Sequence, residues 1–113
     1  MPSILVVDDD ADTAEALRLT LTYSGYLVQV AETTDGALAA FRRSRPDFIL
    51  LDYILKGSLG ASDFVSKVRE ENFQGKIILM SGISDPAQKA IQLGLQASIK
   101  KPFETDQLLK KFT

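Results

Sequence analysis

The chain has 113 residues, 45% of them hydrophobic and 25% charged, which supports one compact domain, residues 1–113, burying roughly two thirds of its unfolded surface. Thirteen Lys and Arg against fifteen Asp and Glu leave a formal charge of -2, so there is no electrostatic basis for binding nucleic acid or an anionic membrane. The absence of Cys and His excludes disulfides, thiolate or imidazole metal sites and the commonest general base, leaving chemistry to carboxylates, hydroxyls and lysines.

Met1-Pro2-Ser3 leads directly into Ile4–Val7, with neither the basic start nor the apolar length of a signal peptide, and no apolar run is long enough to span a bilayer. The expectation is a soluble, cytoplasmic protein. Ile4–Val7 reads as a strand, and Ala11–Ser24 as a helix with Ala14, Leu17 and Leu21 on one face and Gly25 as its stop. Leu27–Ala31 is the second strand, followed by a helix over Asp35–Arg43 that ends before Arg45-Pro46. Phe48–Leu51 is the third strand, followed by a helix over Ser62–Glu71 ahead of Gly75. Ile77–Met80 is the fourth, and its helix is capped by Asp85, has Pro86 in its first position and runs to about Leu93 before Gly94. Ala97–Ile99 is the fifth strand, and after Pro102-Phe103 a last helix packs Leu108, Leu109 and Phe112. The apolar runs are continuous rather than alternating, as in strands covered on both faces, so a parallel sheet with crossover helices is expected. Right-handed crossovers then favour an α/β, flavodoxin-like (βα)5 doubly wound sheet of order 2-1-3-4-5, with its crevice at the carboxyl ends of strands 1 and 3.

Polar residues stand at those ends: Asp8-Asp9-Asp10 after strand 1, Asp52 after strand 3, Ser81-Gly82 after strand 4 and Lys100-Lys101-Pro102 after strand 5. Each has an ordinary reading by itself. Asp10 caps the first helix, Asp52 starts a turn, Ser81 is a strand-end hydroxyl and Lys101 a surface lysine. A calcium loop on Asp8, Asp10 and Asp12 fails, because Thr13 stands where glycine is needed and Leu19 where glutamate is. Taken together, Asp8, Asp9 and Asp52 in one crevice would repel one another and require a cation. Mg2+ (or Mn2+) suits two carboxylates, a backbone carbonyl and a phosphoryl oxygen. A carboxylate in such a site can act as a nucleophile toward phosphorus, with the Lys101 ammonium and the Ser81 hydroxyl neutralising the transferred oxygens.

These residues resemble the receiver domain of two-component response regulators over essentially the whole chain. The matching stretches are Ile4-Leu-Val-Val-Asp-Asp-Asp10, Pro46-Asp-Phe-Ile-Leu-Leu-Asp52 with Gly60 eight residues on, Ile77-Ile-Leu-Met-Ser-Gly82 and Lys101-Pro102-Phe103. The resemblance implies that Asp52 is the phosphoacceptor and that Asp8, Asp9, Asp52 and the Ile54 carbonyl hold Mg2+. It further implies that Ser81 is the switch hydroxyl, that Lys101 pairs with the phosphate and that the Lys101–Pro102 peptide is cis. A sensor histidine kinase or phosphotransfer protein would be the donor, docking near Ala11, Ala14 and Leu17. The target, a downstream protein or an output domain, is not specified.

Three departures stand out. Leu55-Lys56 replaces a Met-Pro pair, and Ser98 replaces the aromatic residue that swings inward in many relatives. Output would then pass through Ser81 and the loop from Gly82 to Asp85 to the fourth helix. Ile54 and Ile83, two residues beyond the acceptor and the hydroxyl, stand at positions that in the family flank the path of the attacking water, and both are apolar, which implies slow self-dephosphorylation. The departures also motivate a rival reading, a degenerate receiver that docks proteins without taking phosphate. Asp9, Asp52 and Lys101 argue against it. A phosphatase with its nucleophile after strand 1 would need a cap domain, and the acidic loop after strand 1 does not suit an FMN phosphate.

Overall fold

The structure, a computed structural model, describes residues 1–53, 57, 60–82, 85–95 and 97–112. Five strands, β1 (Ser3–Val7), β2 (Leu27–Ala31), β3 (Phe48–Asp52), β4 (Lys76–Ser81) and β5 (Ala97–Lys100), form one parallel sheet of order β2-β1-β3-β4-β5. Helices α1 (Ala11–Tyr23), α2 (Thr34–Ser44), α3 (Ala61–Glu70), α4 (Pro86–Gln92) and α5 (Thr105–Lys110) alternate with them. The expected architecture is therefore the observed one.

Successive strand residues face opposite sides of the sheet, and each side carries its own core. Leu5, Val7, Ile49, Leu51, Ile77 and Leu79 pack with Phe41 of α2 and Phe64 of α3. Ile4, Val6, Leu50, Ile78, Met80 and Ile99 pack with Leu17 and Leu21 of α1 and Leu108 of α5. Phe112 closes this second core against the rings of Phe48 and Tyr26.

The local rules account for most element ends. Asp10 caps α1 by accepting from the amides of Asp12 (3.1 Å) and Thr13 (3.3 Å), and Asp85 caps α4 through Gln88 (3.1 Å) with Pro86 beginning the helix. Asp52 and Ser81 are the last residues of their strands, which therefore run one residue further than the sequence implied. Strand β2 is less buried than its apolar run implied, because it lies at the sheet edge; Leu27 is 55% exposed. Helix α3 stops through Asn72 (φ 69°), not through Gly75. Gly75 answers a different need: a Cβ there would collide with the Asp47 carbonyl and the Phe73 ring. Among the described residues, no helix is long and apolar enough to cross a membrane.

Candidate phosphoacceptor site

Strands β1 and β3 are adjacent and in register through Val7 and Leu51, so the acids that follow meet at one end of the sheet. Carboxylate oxygens of Asp8, Asp9 and Asp52 all lie within 4.8 Å of one another. Asp8 is fully buried and Asp52 nearly so, at 9% exposure. Asp8 accepts from the Asp10 amide through Oδ1 (3.0 Å), and its own amide donates to the Ala31 carbonyl (3.0 Å). This ties the acidic loop to both the sheet and the first turn of α1.

Lys101 enters from the far side of the sheet. Its amide donates to the Ser81 carbonyl (2.8 Å), and its Nζ donates to Asp8 Oδ2 (3.0 Å) and to Asp52 Oδ2 (3.2 Å). The Lys101–Pro102 peptide is cis. Ser81 is buried at the end of β4, one residue beyond Met80, the cross-strand neighbour of Asp52. Asp8, Asp9, Asp52 and Lys101 thus converge, with Ser81 beside them on β4. The Ile54 carbonyl, Leu55-Lys56 and Ile83 lie outside the described residues.

Burial pushes the Asp52 carboxyl above its ordinary range; the Lys101 ammonium opposes this and the Asp8 charge reinforces it. Burial alone would pull the Lys101 ammonium down, but hydrogen bonds and charge contacts with Asp8 and Asp52 outweigh it and hold the group above its usual value. The two shifts run in the same direction for different reasons: burial leads for Asp52, and the two acidic partners lead for Lys101. With all three acids ionised, three carboxylates against one ammonium leave the cluster two charges negative. A hard divalent cation matches that deficit, and the donors are all oxygens, so the residues fit such an ion.

The docking residues inferred on α1 need correction. Ala14 and Leu17 face the core, at 1% and 7% exposure, because they lie on the face that packs on the sheet; of the three, only Ala11 is exposed. A groove of about 490 Å³ runs between α1 and the start of α5, lined by Thr13, Ala16, Leu17, Thr20, Phe103 and Thr105 among others. The sequence carried a signal for it in Phe103, an aromatic just after the Lys-Pro pair.

The family model for the response regulator receiver domain matches residues 4–113. The chain is 34% identical over 109 residues to the nitrogen assimilation regulatory protein NtrX of Azorhizobium caulinodans, covering 94% of this chain and 24% of that protein. It is also 34% identical over 111 residues to the probable transcriptional regulatory protein TcrX of Mycobacterium tuberculosis, covering 95% of this chain and 46% of the other. The chain therefore spans less than half the length of these relatives. Among solved structures, the chemotaxis protein CheY4 of Vibrio cholerae superposes with a TM-score of 0.87 at 28% identity, over 97% of this chain and 94% of the other. The receiver domain of NtrX from Brucella abortus gives 0.86 at 30% identity, over 95% and 92%. A family model matched over residues 4–113 and solved receivers that superpose over nearly the full chain leave one assignment: the chain belongs to the response regulator receiver domain family.

Proposed function

We propose that this chain is a phosphorylation-dependent signalling switch of the cytoplasm, with Asp52 as its phosphoacceptor. Phosphorylation-dependent switching is what receiver domains do, and they work with histidine kinases and output domains. The observation that carries the assignment is the Lys101 ammonium held between Asp8 and Asp52 beside a third acid. In the proposed reaction an Asp52 carboxylate oxygen attacks the phosphorus of a phosphohistidine donor. The nitrogen–phosphorus bond breaks, its electron pair stays on the imidazole and the product is an aspartyl phosphate. Asp8, Asp9 and Asp52, with the Ile54 carbonyl as a further ligand, would hold Mg2+, which when bound supplies charge neutralisation of the phosphoryl oxygens. Lys101 follows the negative charge from the carboxylate to the transferred group, and the Ser81 hydroxyl donates to one of its oxygens.

The donor, a sensor histidine kinase or phosphotransfer protein, docks in the groove lined by Thr13, Ala16, Thr20 and Phe103, beside the site. Output runs through Ser81 and the following loop into α4, since Ser98, half-buried on β5 opposite Leu79, offers no aromatic ring to move. The test is transfer from a radiolabelled phosphohistidine protein. Label should pass to the chain only when Mg2+ is present, and Thr20→Arg in the groove should slow transfer while leaving reaction with acetyl phosphate intact. Transfer that persists in excess chelator contradicts the reading.

A further inference from the structure

Strand β2 closes one side of the sheet and, among the described residues, pairs only with β1. The Leu27 amide donates to the Pro2 carbonyl (3.0 Å) and the Ala31 carbonyl accepts from the Asp8 amide (3.0 Å), so Leu27, Gln29 and Ala31 turn their backbone groups toward β1. Backbone groups alternate in direction along a strand, so those of Val28 and Val30 point outward, and neither residue has a backbone partner among the described residues. Open edges are ordinarily blunted by a lysine, a proline or an inward charge. The opposite edge strand, β5, ends in Lys100, whereas Leu27-Val-Gln-Val-Ala31 is uncharged throughout and begins on an exposed leucine. Its short length protects it in part, yet five residues is an ordinary length for a paired strand.

Val28 and Val30 lie symmetrically about Gln29, and that symmetry decides what fits. An antiparallel copy with its two-fold axis at Gln29 would set Val28 opposite Val30 of the second copy, where each outward N–H meets an outward C=O. Leu27 would face Ala31, a large side chain against a small one, and Gln29 would meet its own copy with no like charges opposed. We propose that β2 is a self-association edge: two copies of the chain pair β2 to β2, antiparallel about Gln29, into one continuous sheet. The axis crosses the sheet plane, so α1 of each copy flanks the seam on the same face. Helix α1 shares a core with Val28 and Val30 and carries the exposed Leu19 and Tyr23 one turn apart, apolar surface beside the seam. The contact closes at two copies and leaves only the lysine-bearing β5 edges outermost. A foreign strand is the weaker occupant, because nothing along β2 selects its charge, while β2 itself meets every condition of the pairing. The inference goes beyond the phosphoacceptor reading and holds whether or not Asp52 carries phosphate.

Sedimentation velocity of the full chain, from low- to high-micromolar concentration, tests it. The parent should shift with concentration toward twice the chain mass. Gln29→Glu and Gln29→Lys each set like charges face to face at the axis and should weaken association at least about tenfold, and an equimolar mixture of the two should restore it. Leu27→Lys, at an exposed position, should weaken it as well, whereas Lys100→Glu on the opposite edge should leave it unchanged. Parent-like circular dichroism of each variant shows that the fold persists. A parent that stays monomeric, a dimer that survives both single Gln29 substitutions, a mixture that fails to reassociate, or a dimer lost in Lys100→Glu overturns the proposal.

Discussion

Asp8 and Asp9 are neighbours in the chain yet differ in setting: Asp8 is sealed beneath Lys101 and the Asp10 amide, while Asp9 stays half-exposed. The sequence showed that acids stand where apolar strands stop, because an idle carboxylate there is costly. It did not show which of the acids turns inward, since that depends on the backbone direction leaving β1. Because burial and Asp8 raise the Asp52 carboxyl, ionised Asp52 costs stability above the unfolded carboxylate's titration range in protein free of divalent ions. Asp52→Ala should therefore raise the metal-free melting temperature, with Lys101 still paired to Asp8. Lys101→Ala should instead cost about 2 kcal/mol by urea denaturation, because a fully buried Asp8 loses its cation. A lower melting temperature for Asp52→Ala would contradict the balance of charges drawn here. A second expectation concerns Ile54 and Ile83, whose side chains cannot orient a water: the phosphorylated form should persist well beyond seconds in Mg2+, as followed by loss of radiolabel.

At the scale of elements, the strand runs and helix faces were legible because burial leaves a period in the sequence. The stops were less so. Arg45 ends α2 with a positive φ of 48°, a conformation usually given to glycine, and its guanidinium donates to the Glu71 carbonyl (2.6 Å) and lies 4.7 Å from the Phe41 ring centre. Glu71, in turn, accepts from Arg42 of α2 at 2.7 and 2.9 Å, so the ends of α2 and α3 are tied by two arginines. Such ties join residues far apart in sequence and leave no local pattern. The hydrogen bond from Arg42 lowers the Glu71 carboxyl below its ordinary value. A carboxylate depressed in the folded state stabilises above the unfolded titration range and loses that contribution as pH falls through the folded value. Glu71→Gln should thus melt lower than the parent at neutral pH, and the difference should vanish on acidification below the carboxylate range. A difference that persists there would mean that packing rather than charge sets the effect.

For the whole molecule, the order of the strands decides the chemistry. Placing β1 between β2 and β3 brings Asp8 and Asp52 together, and placing β5 beside β4 lets Lys101 reach both from ninety-three and forty-nine residues away. That convergence was readable in outline from continuous apolar runs and right-handed crossovers, whereas the grooves beside it depend on side-chain packing that no single segment encodes. A divalent ion that binds only the folded cluster should stabilise the chain by roughly 1.4 kcal/mol at ten times its dissociation constant, read as a rise in melting temperature with Mg2+ that Asp52→Ala weakens. The most direct measurement is the intact mass after incubation with acetyl phosphate and Mg2+. The parent should gain the mass of one phosphoryl group and Asp52→Asn none; an unmodified parent, or equal gains in both, would contradict Asp52 as the acceptor.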